Sequence, residues 1–270
     1  MNNTELKKIA NNVRKDIVTA VHAAKSGHPG GSLSAADIFT FLYFEEMNID
    51  PANPKDPKRD RFVLSKGHTA PGLYSTMAER GYFDSKELVN LRHTGSFLQG
   101  HPSMNYLPGI DMSTGSLGQG ISSAVGMALA TKVNHLDYRV YTLLGDGELE
   151  EGQVWEASMF AAQQKLDNLI VLLDNNKLQL GGYTESINSL IDPVKKWESF
   201  GFYVQNIDGN NIEEIDKALA LAKTNKGKPS LIVLNTVKGK GIKFVEEATT
   251  SNHSMPITKE ELEEVERELK

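Results

Sequence analysis

Residues 139–174 read RVYTLLGDGELEEGQVWEASMFAAQQKLDNLIVLLD, and this stretch decides the fold. Arg139–Leu144 is a mostly apolar run of strand length, Val154–Lys165 has helical spacing, and Leu169–Asp174 is a second apolar run. Apolar strands that do not alternate with polar residues are buried on both faces, and a strand–helix–strand unit of this length makes parallel neighbours. The first strand runs into Gly145-Asp146-Gly147 and the second into Asp174-Asn175-Asn176, so oxygen-bearing side chains emerge from both carboxyl ends. Ligands of open α/β sheets bind at those ends.

The alternation continues in both directions. Downstream, Pro193–Phe200 and Ile212–Ala222 read as helices, and Phe202–Ile207 and Pro229–Val237 as strands. Upstream, Arg61-Phe62-Val63-Leu64-Ser65 is a short strand, followed by helical patterns over Ala70–Arg80 and Ser85–Leu91. Leu6, Ile9, Val13, Ile17, Val21 and Ala24 recur every three or four residues, which makes the first element an amphipathic helix. It stops at Ser26-Gly27-His28-Pro29-Gly30-Gly31, and a very apolar helix spans Leu33–Met47. Gly115–Val133 reads as a helix of small residues, and His93–Ser113 as an irregular loop.

The expected fold is therefore α/β: a three-layer, doubly wound, mostly parallel sheet. Residues 1–270 form one domain in this reading, with a long loop at 238–257 and a solvated C-terminal helix at 258–270.

Composition removes several classes of function. Of the 270 residues, 39% are hydrophobic and 24% charged, enough apolar material for a substantial core. A net charge of -6 offers no basic footprint for nucleic acid. Without cysteine there is no disulfide and no thiolate metal site, so any metal would need oxygen or imidazole ligands. The N-terminus lacks the apolar core of a signal peptide, and no apolar run has membrane-spanning length. The expectation is a cytoplasmic protein that engages neither membrane nor nucleic acid.

Gly-Asp-Gly alone is a weak motif, because plain turns often have that composition. The second strand end strengthens it. Magnesium takes near-octahedral oxygen coordination from few protein ligands plus substrate phosphates. A carboxylate from one strand end and an amide from the next, beside glycines that admit a phosphate, suit that chemistry.

Gly145-Asp146-Gly147, followed about thirty residues on by Asn176, resembles the thiamine diphosphate signature of transketolases, 2-oxo acid dehydrogenases and 2-oxo acid decarboxylases. Further segments resemble transketolases in particular: Ser26–Ser32 with His28, Ser65-Lys66-Gly67-His68, Gly100-His101-Pro102, Thr114–Gly120, and Asn252-His253-Ser254-Met255-Pro256. The likeness runs from about Asp16 to His253.

The resemblance implies a set of roles. Asp146, the Asn176 side chain and the Leu178 main-chain carbonyl would hold Mg2+, with Ca2+ or Mn2+ as substitutes. His68, Gly115, Ser116, Leu117, Gly147, Glu148, Asn176 and His253 would contact thiamine diphosphate. His28, His101 and His253 would be catalytic, hydrogen-bonding the sugar hydroxyls and moving protons, as side chains titrating near neutrality can. His22, His93 and His135 lie outside these motifs and read as ordinary surface or core residues.

Where full-length transketolases commonly have proline this chain has Ser116, and where they have an acidic residue it has Ser103. They also continue into a pyrimidine-binding domain, which supplies the glutamate facing the cofactor ring nitrogen and the residues gripping the sugar phosphate. The resemblance thus implies half of a split transketolase, moving a two-carbon glycolaldehyde unit from a ketose phosphate to an aldose phosphate. Its partner would be a second chain carrying the pyrimidine-binding and C-terminal domains, in an α2β2 heterotetramer. Donors in pentose phosphate metabolism, branched sugar phosphates and sulfonated sugars all stay open. The rival readings are the α subunit of a 2-oxo acid dehydrogenase, which lacks the Ser-Gly-His-Pro-Gly opening, and a cofactor-binding module without turnover.

Overall fold

The computed structural model describes residues 1–269; Lys270, the last residue of the expected C-terminal helix, lies outside them. Five parallel strands make the central sheet: β1 (Arg61–Leu64), β2 (Val140–Gly145), β3 (Leu169–Asn175), β6 (Tyr203–Asp208) and β7 (Ser230–Asn235), in the order β1-β2-β3-β7-β6. A two-residue hairpin, β4 (Leu178–Gln179) and β5 (Gly182–Tyr183), follows β3. The register aligns Gly145 with Asp174 and Asn175 with Asn235, so β2, β3 and β7 end side by side.

The sheet is covered on both faces, as the apolar strands require. Tyr141, Leu143, Ile170, Leu172, Ile232 and Leu234 point to one side, into a core with α3 (Ala36–Phe41), α4 (Ala70–Arg80) and α9 (Ile212–Thr224). Their alternates Val140, Leu144, Val171, Leu173, Leu231 and Val233 point to the other, against α5 (Gln119–Val133), α6 (Gly152–Gln163) and α8 (Pro193–Ser199). Each strand thus feeds two cores, which is the three-layer architecture.

α1 (Asn3–Ala24) begins in a capping box between Asn2 and Glu5 and ends where Lys25 adopts a left-handed conformation. One stripe of it (Val13, Ile17, Val21) meets Leu33, Ile242, Val245 and Val265, a third core that joins the two ends of the chain. His22 belongs to this seam, its Nδ1 lying 2.8 Å from the Ile257 carbonyl oxygen. α11 (Lys259–Glu268) carries its own capping box at Thr258 and Glu261.

Two helices depart from the sequence expectation. The apolar stretch at Leu33–Met47 is three short pieces: α2 (Pro29–Ser34), α3, and a π-helical turn over Leu42–Glu46. The break is at Ala35, whose ψ of 1° leaves the helical region without any glycine or proline to announce it. The helix expected from Gly115 starts only at Gln119, because Gly115 (φ +148°) and Gly118 (φ +79°) occupy backbone regions closed to a right-handed helix. Between Lys238 and Ile257 the chain forms α10 (Lys243–Glu247) and a 3-10 turn over Thr249–His253, with Val245 and Asn252 buried. The remaining short helix, α7 (Thr184–Asn188), follows the hairpin. Among the described residues, no helix is long and apolar enough to cross a membrane.

Candidate active site

Four adjacent strand ends open onto one cavity of about 350 Å³. The end of β1 contributes Lys66, β2 contributes Asp146, β3 contributes Asn176, and β7 contributes Lys238. His68, Gly115, Leu117, Gly147, Glu148, Leu178 and His253 also line it, which gathers most of the expected cofactor and metal residues in one place. Ser116 is exposed and lies outside the lining.

Glycines let the pieces approach. A Cβ on Gly67 would sit 2.7 Å from the Gly115 amide nitrogen, so the turn carrying His68 and the loop carrying Leu117 touch backbone to backbone. A Cβ on Gly115 would meet the His101 ring at 2.9 Å. Likewise, a Cβ on Gly30 would lie 2.5 Å from the Asn252 carbonyl, so α2 presses against the turn that presents His253. Glu148 braces the floor by accepting from Ser65 Oγ at 2.5 Å, the Gly118 amide at 2.9 Å and the Gly145 amide at 3.1 Å.

The oxygen donors are held from behind. Asp174 is buried, and its carboxylate accepts from Lys66, Thr236, Ser34 Oγ (2.5 Å) and Asn176 Nδ2 (3.0 Å). The last contact fixes the Asn176 amide, leaving Oδ1 to accept from the Leu178 amide at 3.1 Å. Burial opposes ionisation of Asp174, but the Lys66 ammonium and the hydroxyl donors outweigh it and hold its pKa below the ordinary value. Asp146 accepts from the Lys177 amide and, at 2.8 Å, from the Gly147 amide. Burial and then the Asp174 charge push its pKa up to about 7, against the lowering effect of the Gly147 and Lys177 amides.

Cations face this group. Lys238 Nζ donates to the Leu178 carbonyl at 2.9 Å and lies 3.3 Å from His253 Nδ1. Burial and the charge of Lys66 lower its pKa to about 8. Lys66 is already paired with Asp174, whereas Lys238 is buried with only neutral partners, the Leu178 carbonyl and the His253 ring, within hydrogen-bond reach.

Four histidines from distant segments converge, His68 and His253 in the cavity lining and His28 and His101 beside them, outside it. The His28 ring centroid is 5.3 Å from His68, 5.3 Å from His253 and 6.3 Å from His101, and His68 is 5.0 Å from His253. Burial, then nearby positive charge, lowers the pKa of His28 and of His253 to about 4, and lowers those of His68 and His101 as well. At neutral pH each ring is uncharged, with one nitrogen to donate and one to accept. His28 Nδ1 is buried with no protein partner, so it is free for a ligand. The Tyr74 hydroxyl donates to the His101 carbonyl at 3.2 Å. His93 and His135 are exposed and stand outside the cluster.

The donor set fits a divalent cation that carries a diphosphate: one carboxylate, an amide oxygen and a main-chain carbonyl, faced by two lysines. Among the described residues no group of three or more His, Cys, Asp or Glu is placed to hold a metal. Sequence reasoning passed over Lys66 and Lys238. The signal was there: each lysine follows a strand end and precedes a glycine, in Ser65-Lys66-Gly67 and Lys238-Gly239.

Residues 5–270 match the family model described as transketolase, thiamine diphosphate binding domain. The chain is 50% identical over 256 residues to the 6-deoxy-6-sulfo-D-fructose transketolase subunit of Clostridium sp. (strain MSTE9), covering 95% of this chain and 93% of that protein. It is 43% identical over 257 residues to an apulose-4-phosphate transketolase subunit of Phocaeicola vulgatus, covering 95% of this chain and 90% of that one. The solved structure of transketolase from Campylobacter jejuni superposes with a TM-score of 0.91 at 36% identity, covering 100% of this chain and 43% of that one.

Proposed function

The chain belongs to the family of transketolase thiamine diphosphate-binding domains, and we propose that it is the diphosphate- and metal-holding half of a two-chain transketolase. The observation that carries this reading is the meeting of Lys66, Asp146, Asn176 and Lys238 from four adjacent strand ends in one cavity beneath four neutral histidines. Relatives named as subunits, matched over about nine-tenths of their own length, support a separate partner chain.

In this reading Asp146, Asn176 Oδ1 and the Leu178 carbonyl hold a divalent cation, Mg2+ by preference, and Lys238 turns from that carbonyl to the diphosphate. His68, His253, Gly147 and Glu148 line the same end, and Gly115, Ser116 and Leu117 the loop beside the cofactor ring. What thiamine diphosphate supplies when bound is a nucleophilic carbon for breaking and making the bond next to a ketose carbonyl. His28, His101 and His253 do the proton work. Uncharged, each donates to a sugar hydroxyl from one nitrogen and accepts a proton at the other. Residues 238–257 act as an active-site loop, since Lys238 and His253 both come from it.

The partner supplies the pyrimidine-binding side and closes the site against water, which strengthens every charge–dipole contact inside it. An α2β2 assembly in the cytoplasm is the arrangement we infer. The donor is a ketose ending in an anionic group, and the relatives' names frame the choice between a sulfonate and a phosphate.

The assembled pair should be assayed with 6-deoxy-6-sulfofructose, apulose 4-phosphate and xylulose 5-phosphate, and with pyruvate as the oxo acid control. Two-carbon transfer from at least one ketose, with no turnover of pyruvate, is expected. Oxo acid turnover without ketose transfer would overturn the reading in favour of a dehydrogenase subunit.

A further inference from the structure

Arg92 lies where two histidine-bearing segments meet. Its backbone is left-handed (φ +62°), a conformation few non-glycine residues adopt, and its amide donates to the Leu98 carbonyl at 2.9 Å, closing the root of the loop that runs on to His101. One end of the guanidinium reaches the first histidine segment: Nη1 donates to Ser26 Oγ at 3.1 Å, two residues before His28. The other side lies on the second: a Cβ on Gly100, the residue before His101, would be 3.0 Å from Arg92 Nε and 3.3 Å from Nη2.

We propose that Arg92 is a positioning residue that ties the turn carrying His28 to the loop carrying His101, and so sets the separation of those two rings across the substrate mouth. A planar guanidinium suits this task better than an ammonium, because its donors have fixed relative directions. The Gly100 position belongs to the same geometry, since a Cβ there would oblige the guanidinium to give way by a few tenths of an ångström. The charge of Arg92 also helps to keep both rings neutral: it ranks directly after burial among the causes lowering their pKa values. The consequence for catalysis rests on the transketolase reading; the geometry does not.

Two measurements test the inference. In the chain by itself, imidazole NMR resonances of His28 and His101 should move in Arg92→Ala, while those of His22 and His135 stay in place. In the assembled enzyme, kcat/KM in Arg92→Ala should fall about 10- to 100-fold, the scale expected when reacting groups are displaced by about an ångström. The fall should be equal for an anionic donor and for the neutral ketose erythrulose, with cofactor affinity within about twofold of the parent. Arg92→Lys should recover part of the loss. Ser26→Ala added to Arg92→Ala should cost less than about twofold more, because residues acting through one contact are not additive. Unmoved His28 and His101 resonances would overturn the inference whether or not the assembly turns over. A loss confined to the anionic donor would make Arg92 a substrate-anion contact and overturn it too. Absence of ketose transfer by the parent assembly would count against the proposed function alone.

Discussion

Lys66 and Asp174 form an ion pair with side chains only 2% and 1% exposed, linking the end of β1 to the end of β3 beneath the candidate metal site. Removing one member leaves the other buried without its counter-charge, which costs about 3–5 kcal/mol. Asp174→Asn and Lys66→Met should each lower the urea midpoint accordingly. Because the cost is that of an orphaned charge, the double variant should recover more than half of it. Additive losses would show that the pair is not coupled in this way.

Asp146→Ala should leave the fold intact and remove metal-dependent binding of thiamine diphosphate. Its carboxylate faces the cavity and is not part of either sheet core. Calorimetric titration should show affinity lowered by more than about 100-fold, beyond what the loss of an outer-shell partner costs. Unchanged affinity would move the metal site elsewhere.

His28→Ala separates binding from chemistry. Loss of one positioned proton-transfer group costs about 100-fold or more in rate, and donor affinity should weaken with it. Cofactor affinity should stay near that of the parent, since the residues proposed to hold the diphosphate and metal remain. Steady-state kinetics beside a cofactor titration decide it, and normal kinetics would put His28 outside the site.

Asp16 predicts a pH dependence away from the site. Burial, then the charge of Glu79, raises its pKa from 3.8 to about 7, and its Oδ2 is buried without a partner. The folded chain therefore holds a proton that the unfolded chain releases between pH 3.8 and about 7, so stability falls as pH rises through that window. Asp16→Asn removes the dependence. The variant should gain on the parent as pH rises, by about 1–2 kcal/mol at pH 8 once solvent screening is allowed for. A gain that is the same at pH 4 and pH 8 would contradict the assignment.

How far the sequence could be read depends on whether a feature is local. The runs at 139–144 and 169–174 announce buried parallel strands because their apolar character has no period. The true start of α5 at Gln119 was hidden, since Gly115 and Gly118 read equally well as small helical residues and as left-handed hinges. The break at Ala35 leaves no mark on composition, since no glycine or proline stands there. Within the site, Asp146 and Asn176 were visible as strand-end oxygens, but the four histidines could be assembled only by resemblance, as residues 28, 68, 101 and 253 share no spacing. Lys66 and Lys238 were missed because a lysine's default is solvent, and only the folded chain shows these two buried.

As half of an enzyme, this chain needs its partner for turnover. Transfer of a two-carbon unit from a ketose donor should be measured for this chain alone, for the partner alone and for the two mixed, each with thiamine diphosphate and Mg2+. No turnover is expected from either chain by itself, and activity should saturate at equal amounts of the two. Full transketolase turnover by this chain, demonstrably free of any partner, would contradict it.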